Sequence, residues 1–349
     1  MPDNSILPTR KADHIKINLQ EDVSSSQSSG FDLYRFEHNA LPEIDLDRVN
    51  TNLDLFGRRL NAPILISSMT GGTAAAFEIN RKLALTAQKY RLSMGLGSQR
   101  AALEDADIEF TYQVREYAPD ILLFANIGAV QLNYGYNIDR CLRAVEMVQA
   151  DGLYLHLNSL QEALQPEGET RFSGLLSKIE FICQSLPVPV VVKEVGWGIS
   201  GKVAKRLQEA GVGGIDVAGA GGTSWSQVEY FRINDKNRKK LAGDFRDWGI
   251  STAECLEQIQ RDAPGMLAFA SGGIKNGQDI AKSIRLGASL VGVAGPYLRA
   301  AAASEEDLDQ FSEYLIQGLR ITMFATGSSS LEELKKTTLV KQGEHTCEI

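Results

Sequence analysis

The 349 residues carry 36 Lys and Arg against 44 Asp and Glu, a formal net charge of −8, and are 43% hydrophobic and 23% charged. That is enough apolar surface for one large globular domain, and the acidic balance argues against nucleic acid as a partner. The four cysteines, Cys141, Cys183, Cys255 and Cys347, stand too far apart for a metal-ligand or redox pair and read as reduced thiols.

Residues 1–61 come first. "MPDNSILPTRKADHIKINLQ" has no apolar signal core, and no later run is apolar for long enough to span a bilayer, so a cytoplasmic protein without a membrane partner is expected. "RKADH" (10–14), if helical, puts Arg10, Lys11 and His14 on one side of a turn. Taken alone the stretch reads as a solvated basic segment; joined by Arg100 it would make an anion site. "SSSQSSG" (24–30) has the composition of a flexible loop.

From residue 62 a rhythm sets in. Short runs rich in Val, Ile and Leu occupy 62–69, 91–97, 121–128, 152–158, 189–196, 213–219, 266–273 and 289–295, and amphipathic stretches such as 75–90, 201–211 and 276–288 lie between them. Strict alternation of strand and helix implies a parallel sheet with both faces covered, and eight units is the number that closes a (β/α)₈ barrel. An open doubly wound sheet would want a G-x-G-x-x-G turn after its first strand, and "SSMTGGTAAAF" lacks that spacing. The predicted class is α/β, a (β/α)₈ TIM barrel over 62–330. An N-terminal extension (1–61) is expected to pack on or over the barrel mouth. A long insertion (220–250) follows strand six, and a tail (331–349) carries no readable signal.

Barrel chemistry sits at the carboxyl ends of the strands. Those ends supply Ser67, Ser68, Met69 and Thr70; Ser98, Gln99 and Arg100; Asn126; His156 and Asn158, with Gln161 and Glu162 beyond; Lys193 and Glu194; "AGAGGTS" (218–224); "SGGIKNG" (271–277); and "AGP" (294–296). Polar groups at every end mark a site. His156 and Asn158 share a parity and can both point into the mouth. The glycines after strands seven and eight, Gly272, Gly273 and Gly295, lie where barrels hold a phosphate on backbone N–H groups, although turn formation alone would also explain them. Lys193, on the parity of Val191 and Val195, needs a polar or anionic partner, which parity denies to Glu194. Glu162 is either a rim carboxylate or a Mg²⁺ ligand, and His156 either a satisfied core histidine or a ligand.

"RKADH", "SSMTGG", "GSQR", "HLNSLQE", "QPEG", "VVVKEVG", "GAGGTS", "ASGGIKNG" and "GVAG", in this order over roughly residues 9–330, resemble the type 2 isopentenyl diphosphate isomerases. These are FMN-dependent barrel enzymes that also need Mg²⁺. The resemblance implies interconversion of isopentenyl and dimethylallyl diphosphate in isoprenoid biosynthesis, with FMN reduced by NADPH and with assembly as a tetramer or larger homo-oligomer. It further implies that Ser67, Ser68, Met69, Thr70, Ser98, Asn126, Lys193 and Thr223 line the flavin, and that Gly272, Gly273, Ile274, Ala294 and Gly295 hold its phosphate. Arg10, Lys11, Ser98, Gln99, Arg100, His156, Asn158 and Gln161 would surround the substrate, with Glu162 on Mg²⁺. Ala218 stands where the family often has Ser, which removes one hydroxyl contact.

An unactivated alkene is a very weak base, so a positioned side chain, typically contributing ~10²–10⁴-fold, does not suffice. The expectation is a reduced flavin as the main proton carrier, Gln161 assisting or orienting, Lys193 at the flavin's anionic edge, His156 beside them, and Trp225 covering the isoprenoid tail. Two alternatives compete. An FMN-dependent oxidoreductase of the 2-hydroxy-acid oxidase type would want a His base near strand seven, where none of His14, His38, His156 and His345 lies. A non-catalytic flavin- or phosphate-binding barrel would not need His156, Asn158, Gln161 and Glu162 on one rim.

Overall fold

The computed structural model describes the backbone of residues 6–342 and the side chains from residue 13 onward. Eight strands close a barrel: β1 (Ile64–Ile66), β2 (Ser93–Gly95), β3 (Leu123–Gly128), β4 (Gly152–His156), β5 (Val190–Lys193), β6 (Gly214–Asp216), β7 (Ala268–Ser271) and β8 (Ala288–Val293). Each pairs in parallel with its sequence neighbours, and β8 returns to β1 through Val291 opposite Ile64. The strands are buried on both faces, which is why they read as continuous apolar runs.

The helices between them start where the sequence supplies acceptors. The side chains of Thr73, Asn137, Ser200, Ser251 and Asn276 each accept an N–H from the first turn of the helix that follows. The apolar faces of these helices form the larger core against the outside of the sheet.

The inside of the barrel is built by the two-residue period of its strands. Leu65, Phe124, Tyr154, Val191, Phe269 and Leu290 pack together in its lower half. Two residues further along the same strands stand Ser67, Asn126, His156, Lys193, Ser271 and Gly292, all at the upper cavity. Each of these six strands thus contributes one apolar residue below and, on all but β8, one polar residue above. A hairpin of two short strands, Leu53–Leu55 and Arg58–Leu60, plugs the amino-terminal end, with Phe56 set edge-on to Phe124 and Phe269 at 6.2 and 6.5 Å. The hairpin covers the lower end, and the cavity lies at the carboxyl ends of the strands.

Two segments differ from expectation. Residues 24–30 are docked instead of forming a flexible loop: Ser24 forms a bridge with Thr223, and the Ser25 N–H donates to the Gly222 carbonyl at 2.8 Å. In the tail region, a helical turn at Leu331–Leu334 precedes a strand at Leu339–Lys341, which pairs antiparallel with Tyr34–Phe36. The Lys341 ammonium meets Glu257 at 2.9 Å. Cys347 and His345 lie outside the described residues. The insertion carries two helices, Trp225–Arg232 and Lys236–Gly243, and no described helix is long and apolar enough to cross a membrane.

Candidate active site

A cavity of about 500 Å³ fills the carboxyl end of the barrel. Ser67, Ser68, Met69 and Thr70 line it after β1, Ser98 and Arg100 after β2, and Asn126 on β3. His156, Asn158, Gln161 and Glu162 line the β4 side, Lys193 the β5 side. Ala218, Thr223 and Trp225 come from the β6 loop, and Gly272, Gly273, Ile274, Ala294 and Gly295 close the ring from β7 and β8. The N-terminal helix Ile6–Gln20 brings His14 and Asn18 to the same space.

Gln99 does not join them. It is fully buried, its Nε2 donates to the Ala144 carbonyl at 2.8 Å, and its Oε1 accepts the Asn126 backbone N–H at 2.9 Å. Its role is to brace β3 from behind. Arg10 and Lys11 lie on the N-terminal helix; their side chains fall outside the described residues.

The polar groups are tied into a network that fixes their orientation. Asn126 Nδ2 donates to the Leu96 carbonyl at 2.9 Å, which leaves Asn126 Oδ1 to meet His156 Nδ1 at 2.9 Å. That makes Nδ1 the donor and fixes the ring plane. Asn158 Nδ2 donates to Glu162 Oε1 at 2.8 Å and to Gln161 Oε1 at 3.3 Å. Glu162 Oε2 accepts the Glu169 N–H at 2.7 Å. Arg100 is held by two bonds to Glu169, at 2.7 and 3.0 Å, and one to Glu104 at 3.0 Å.

Sequence reasoning missed Glu229. This carboxylate is fully buried on the first helix of the insertion. It accepts from Gln161 Nε2 at 3.1 Å, Gln165 Nε2 at 2.6 Å and Arg232 Nε at 2.7 Å, with His14 Nε2 at 3.5 Å. Burial opposes its charge, but the hydrogen bond and charge of His14, with Arg232 and Gln165, outweigh burial and hold the carboxyl at about 2. The signal was present: Trp225, Val228, Glu229 and Arg232 repeat at helical spacing, placing an acid on an inward face.

Lys193 behaves as parity requires. Its Nζ donates to the Glu194 backbone carbonyl at 2.6 Å, whereas the Glu194 carboxylate turns away to accept three backbone N–H groups, from Val195, Gly196 and Trp197. Burial pushes Glu194 up to about 7 against those three donors and the Lys193 charge. The acid facing Lys193 is Asp216, its register partner on β6. Asp216 is fully buried and accepts from the Ser271 hydroxyl. Burial raises its carboxyl above the ordinary value, opposed first by Lys193 and then by Ser271.

Two features bear on a flavin. Three buried polar atoms on the cavity wall, Ser67 Oγ, Ser68 Oγ and Asn158 Oδ1, have no partner among the described residues. The β6 and β7 loops also pack main chain on main chain, as glycine allows: a Cβ on Gly273, at φ +75°, would lie 2.5 Å from the Gly221 carbonyl oxygen, and one on Gly222 2.7 Å from the Gly273 nitrogen, so that with Gly295 after β8 they give the cavity a cradle of bare main chain. For a cation the offer is smaller. Among the described residues no three His, Cys, Asp or Glu cluster as a metal site, and Glu162 is the cavity carboxylate on the β4 rim.

The FMN-dependent dehydrogenase family matches residues 154–341. Curated relatives called isopentenyl-diphosphate delta-isomerase align over nearly the whole chain. That of Synechocystis sp. is 54% identical over 95% of each chain, and that of Nostoc sp. 50% identical over 95% of each. That of Rickettsia africae is 48% identical over 97% of this chain and 99% of its own. Among solved structures, mandelate oxidase with (S)-2-phenylpropionate superposes with a TM-score of 0.65 at 20% identity, covering 98% of this chain and 99% of its own. A Pediococcus acidilactici lactate oxidase structure gives 0.65 at 16% identity, covering 98% and 95%. At such identity these two structures speak for the barrel alone.

Proposed function

This chain belongs to the isopentenyl-diphosphate delta-isomerase family, and from that premise we propose that it interconverts isopentenyl and dimethylallyl diphosphate with reduced FMN, Mg²⁺ and NADPH as the reductant. The observation that carries this is the pairing, in one cavity, of a glycine cradle on the β7 and β8 side with an oriented set of polar groups on the β4 side.

The residues present fit a flavin mononucleotide. Gly272, Gly273, Ile274, Ala294 and Gly295 would take the phosphate on main-chain N–H groups. Ser67, Ser68, Met69, Thr70, Ser98, Asn126, Lys193 and Thr223 would surround the ring, and the unpartnered Ser67 and Ser68 hydroxyls support that. When bound and reduced, the flavin supplies an electron-rich ring and an exchangeable proton. They also fit Mg²⁺ at Glu162, provided a substrate diphosphate completes the shell, since Mg²⁺ commonly takes one carboxylate together with phosphate oxygens.

The chain's own groups do the binding and the orienting. Arg100, His156 and Asn158, with Arg10 and Lys11 on the overlying helix, would engage the diphosphate. The Nδ1 bond to Asn126 fixes the plane in which the His156 ring would meet that anion. Gln161 stands between Asn158 and Glu229, so its amide is fixed at both ends. An amide is a poor acid, and Gln161 therefore aims the isoprenoid carbons instead of supplying their proton. Trp225, edge-on to His14 at 5.1 Å, would cover the tail and exclude water. The exposed Leu241 and Trp248 on the insertion support a homo-oligomer.

An oxidase acting on 2-hydroxy acids would need a histidine on the β7 side, whereas the histidines at this cavity, His14 and His156, come from the N-terminal helix and β4. The decisive experiment gives the FMN-reconstituted, dithionite-reduced protein isopentenyl diphosphate with Mg²⁺. Formation of dimethylallyl diphosphate is expected. No isomerisation, together with flavin reduction by a 2-hydroxy acid, would overturn the assignment.

A further inference from the structure

The glycine cradle has a charged edge, formed by Lys275 within "ASGGIKNG" and by Arg299, which lies beyond every strand end and motif quoted above. Arg299 lies one turn into the helix Gly295–Ala303 that follows β8, and it lines the cavity. Its Nη1 stands 3.4 Å from where a Cβ on Gly295 would be, and Thr223 Oγ1 stands 3.9 Å from the same point. The guanidinium therefore lies over the cradle glycine. Lys275, directly after Gly272, Gly273 and Ile274, lines the cavity from the β7 loop.

The carboxylate nearest Lys275 along the chain, Asp279, is engaged with the Lys275 backbone N–H at 3.0 Å. Among the described residues neither Arg299 nor Lys275 forms a salt bridge, although most other cavity charges are tied down: Arg100 to Glu169, His14 to Glu229, Glu162 to Asn158. Backbone N–H groups supply direction to a bound phosphate but no net charge. A dianion in a partly buried cradle is better matched by a forked cation, which gives paired charge-assisted bonds.

We propose that Arg299, assisted by Lys275, clamps the flavin's phosphate and makes the site select the phosphorylated flavin over riboflavin. The inference rests on the flavin reading above and adds to it the residues that set cofactor choice. Nothing in it depends on the isomerase chemistry at β4.

The test is a pair of titrations on flavin-stripped protein, following quenching of flavin fluorescence. FMN and riboflavin are each titrated into wild type, Arg299→Gln, Arg299→Lys, Lys275→Gln and the double Gln variant. Arg299→Gln is expected to weaken FMN by roughly ten- to a hundredfold, the loss of a charged hydrogen-bond pair, with riboflavin affinity unchanged. Arg299→Lys should recover part of the loss, and Lys275→Gln should cost less. The FMN affinity of wild type should fall with added salt more steeply than that of the double variant.

Equal weakening of both flavins would make Arg299 a structural residue and overturn the clamp, as would FMN affinity unchanged in Arg299→Gln. Wild-type protein that bound neither flavin would overturn the flavin reading itself, and the clamp with it. Circular dichroism of each variant separates misfolding from lost binding, and the exposed position of both side chains favours intact folds.

Discussion

Glu229 Oε1 accepts the Gln161 amide N–H at 3.1 Å, joining the helix after β4 to the insertion after β6. Among the described residues the Gln161 side chain is otherwise held by Asn158 alone, at 3.3 Å. The buried carboxylate is therefore what fixes the angle of the amide. Gln161→Asn, one methylene shorter, loses this reach, and Glu229→Gln removes the charge from the bond. Each should lower kcat by about ten- to a hundredfold, equivalent to roughly 1.5–3 kcal/mol for a hydrogen bond to a charged group, with FMN affinity retained. The double variant should be little worse than either single one, because both break the same contact. Fully additive losses in kcat would show that the two residues act separately.

The same carboxylate links the site to acid stability. Its ordinary value of 4.5 is lowered to about 2 in the folded chain. Between those values the unfolded chain binds a proton that the folded chain does not, so stability rises with pH there. The contribution, roughly 3 kcal/mol, is complete well above pH 4.5 and fades as pH falls toward about 2. In Glu229→Gln that pH-dependent part is gone. The difference in urea-unfolding free energy between wild type and variant should narrow by roughly 1 kcal/mol from pH 7 to pH 4. A gap that stays constant over this range would show that Glu229 carries no such linkage.

How far the site could be read from sequence follows from the range of each interaction. The two-residue period of a strand is local, so His156, Asn158 and Lys193 were assigned to the mouth by parity, and Tyr154 and Val191 beneath them confirm the facing. The helix starts rest on equally local chemistry, since a capping Ser, Thr or Asn acts within three residues. The side chain of Gln99, which the resemblance put beside the substrate, turns back to Ala144 and Asn126, and it lies past the end of β2, where strand parity does not tell inward from backward. Ser24 to Ser28 read as a flexible stretch, because their partners Gly222 and Thr223 lie some two hundred residues away and pair through backbone atoms that any sequence possesses. Glu229 sat at visible helical spacing, but only the folded insertion reveals that this face meets Gln161 and not another helix.

Glu162 lines the cavity, and its oxygens accept hydrogen bonds from Asn158 and from the Glu169 amide. Those bonds fix the carboxylate plane at the cavity edge, where a cation would meet it. Among the described residues no three His, Cys, Asp or Glu cluster here, so a cation would need phosphate oxygens to complete its shell. Glu162→Gln should raise the Mg²⁺ concentration for half-maximal turnover by at least about tenfold, while FMN binding stays constant. An unchanged metal titration would remove Glu162 as the ligand.

The cradle can be challenged at a single carbon. Gly272 sits at φ +107°, and a Cβ there would collide with the Gly219 carbonyl oxygen and approach Thr252 Oγ1 at 2.7 Å. Gly135 has a similar φ of +98° but nothing within 4 Å of such a Cβ, and it lies away from the cavity. Both Ala substitutions incur the backbone strain of an L-residue at positive φ, of order 1–3 kcal/mol. Gly272→Ala alone forces the β6 and β7 loops apart. Both variants should therefore unfold at lower urea, Gly272→Ala the more so, but only Gly272→Ala should purify without bound flavin and show weakened FMN affinity on reconstitution. If Gly135→Ala lost flavin equally, general destabilisation and not the shape of the cradle would govern cofactor retention. If Gly272→Ala kept it, the phosphate would have to sit elsewhere on the rim.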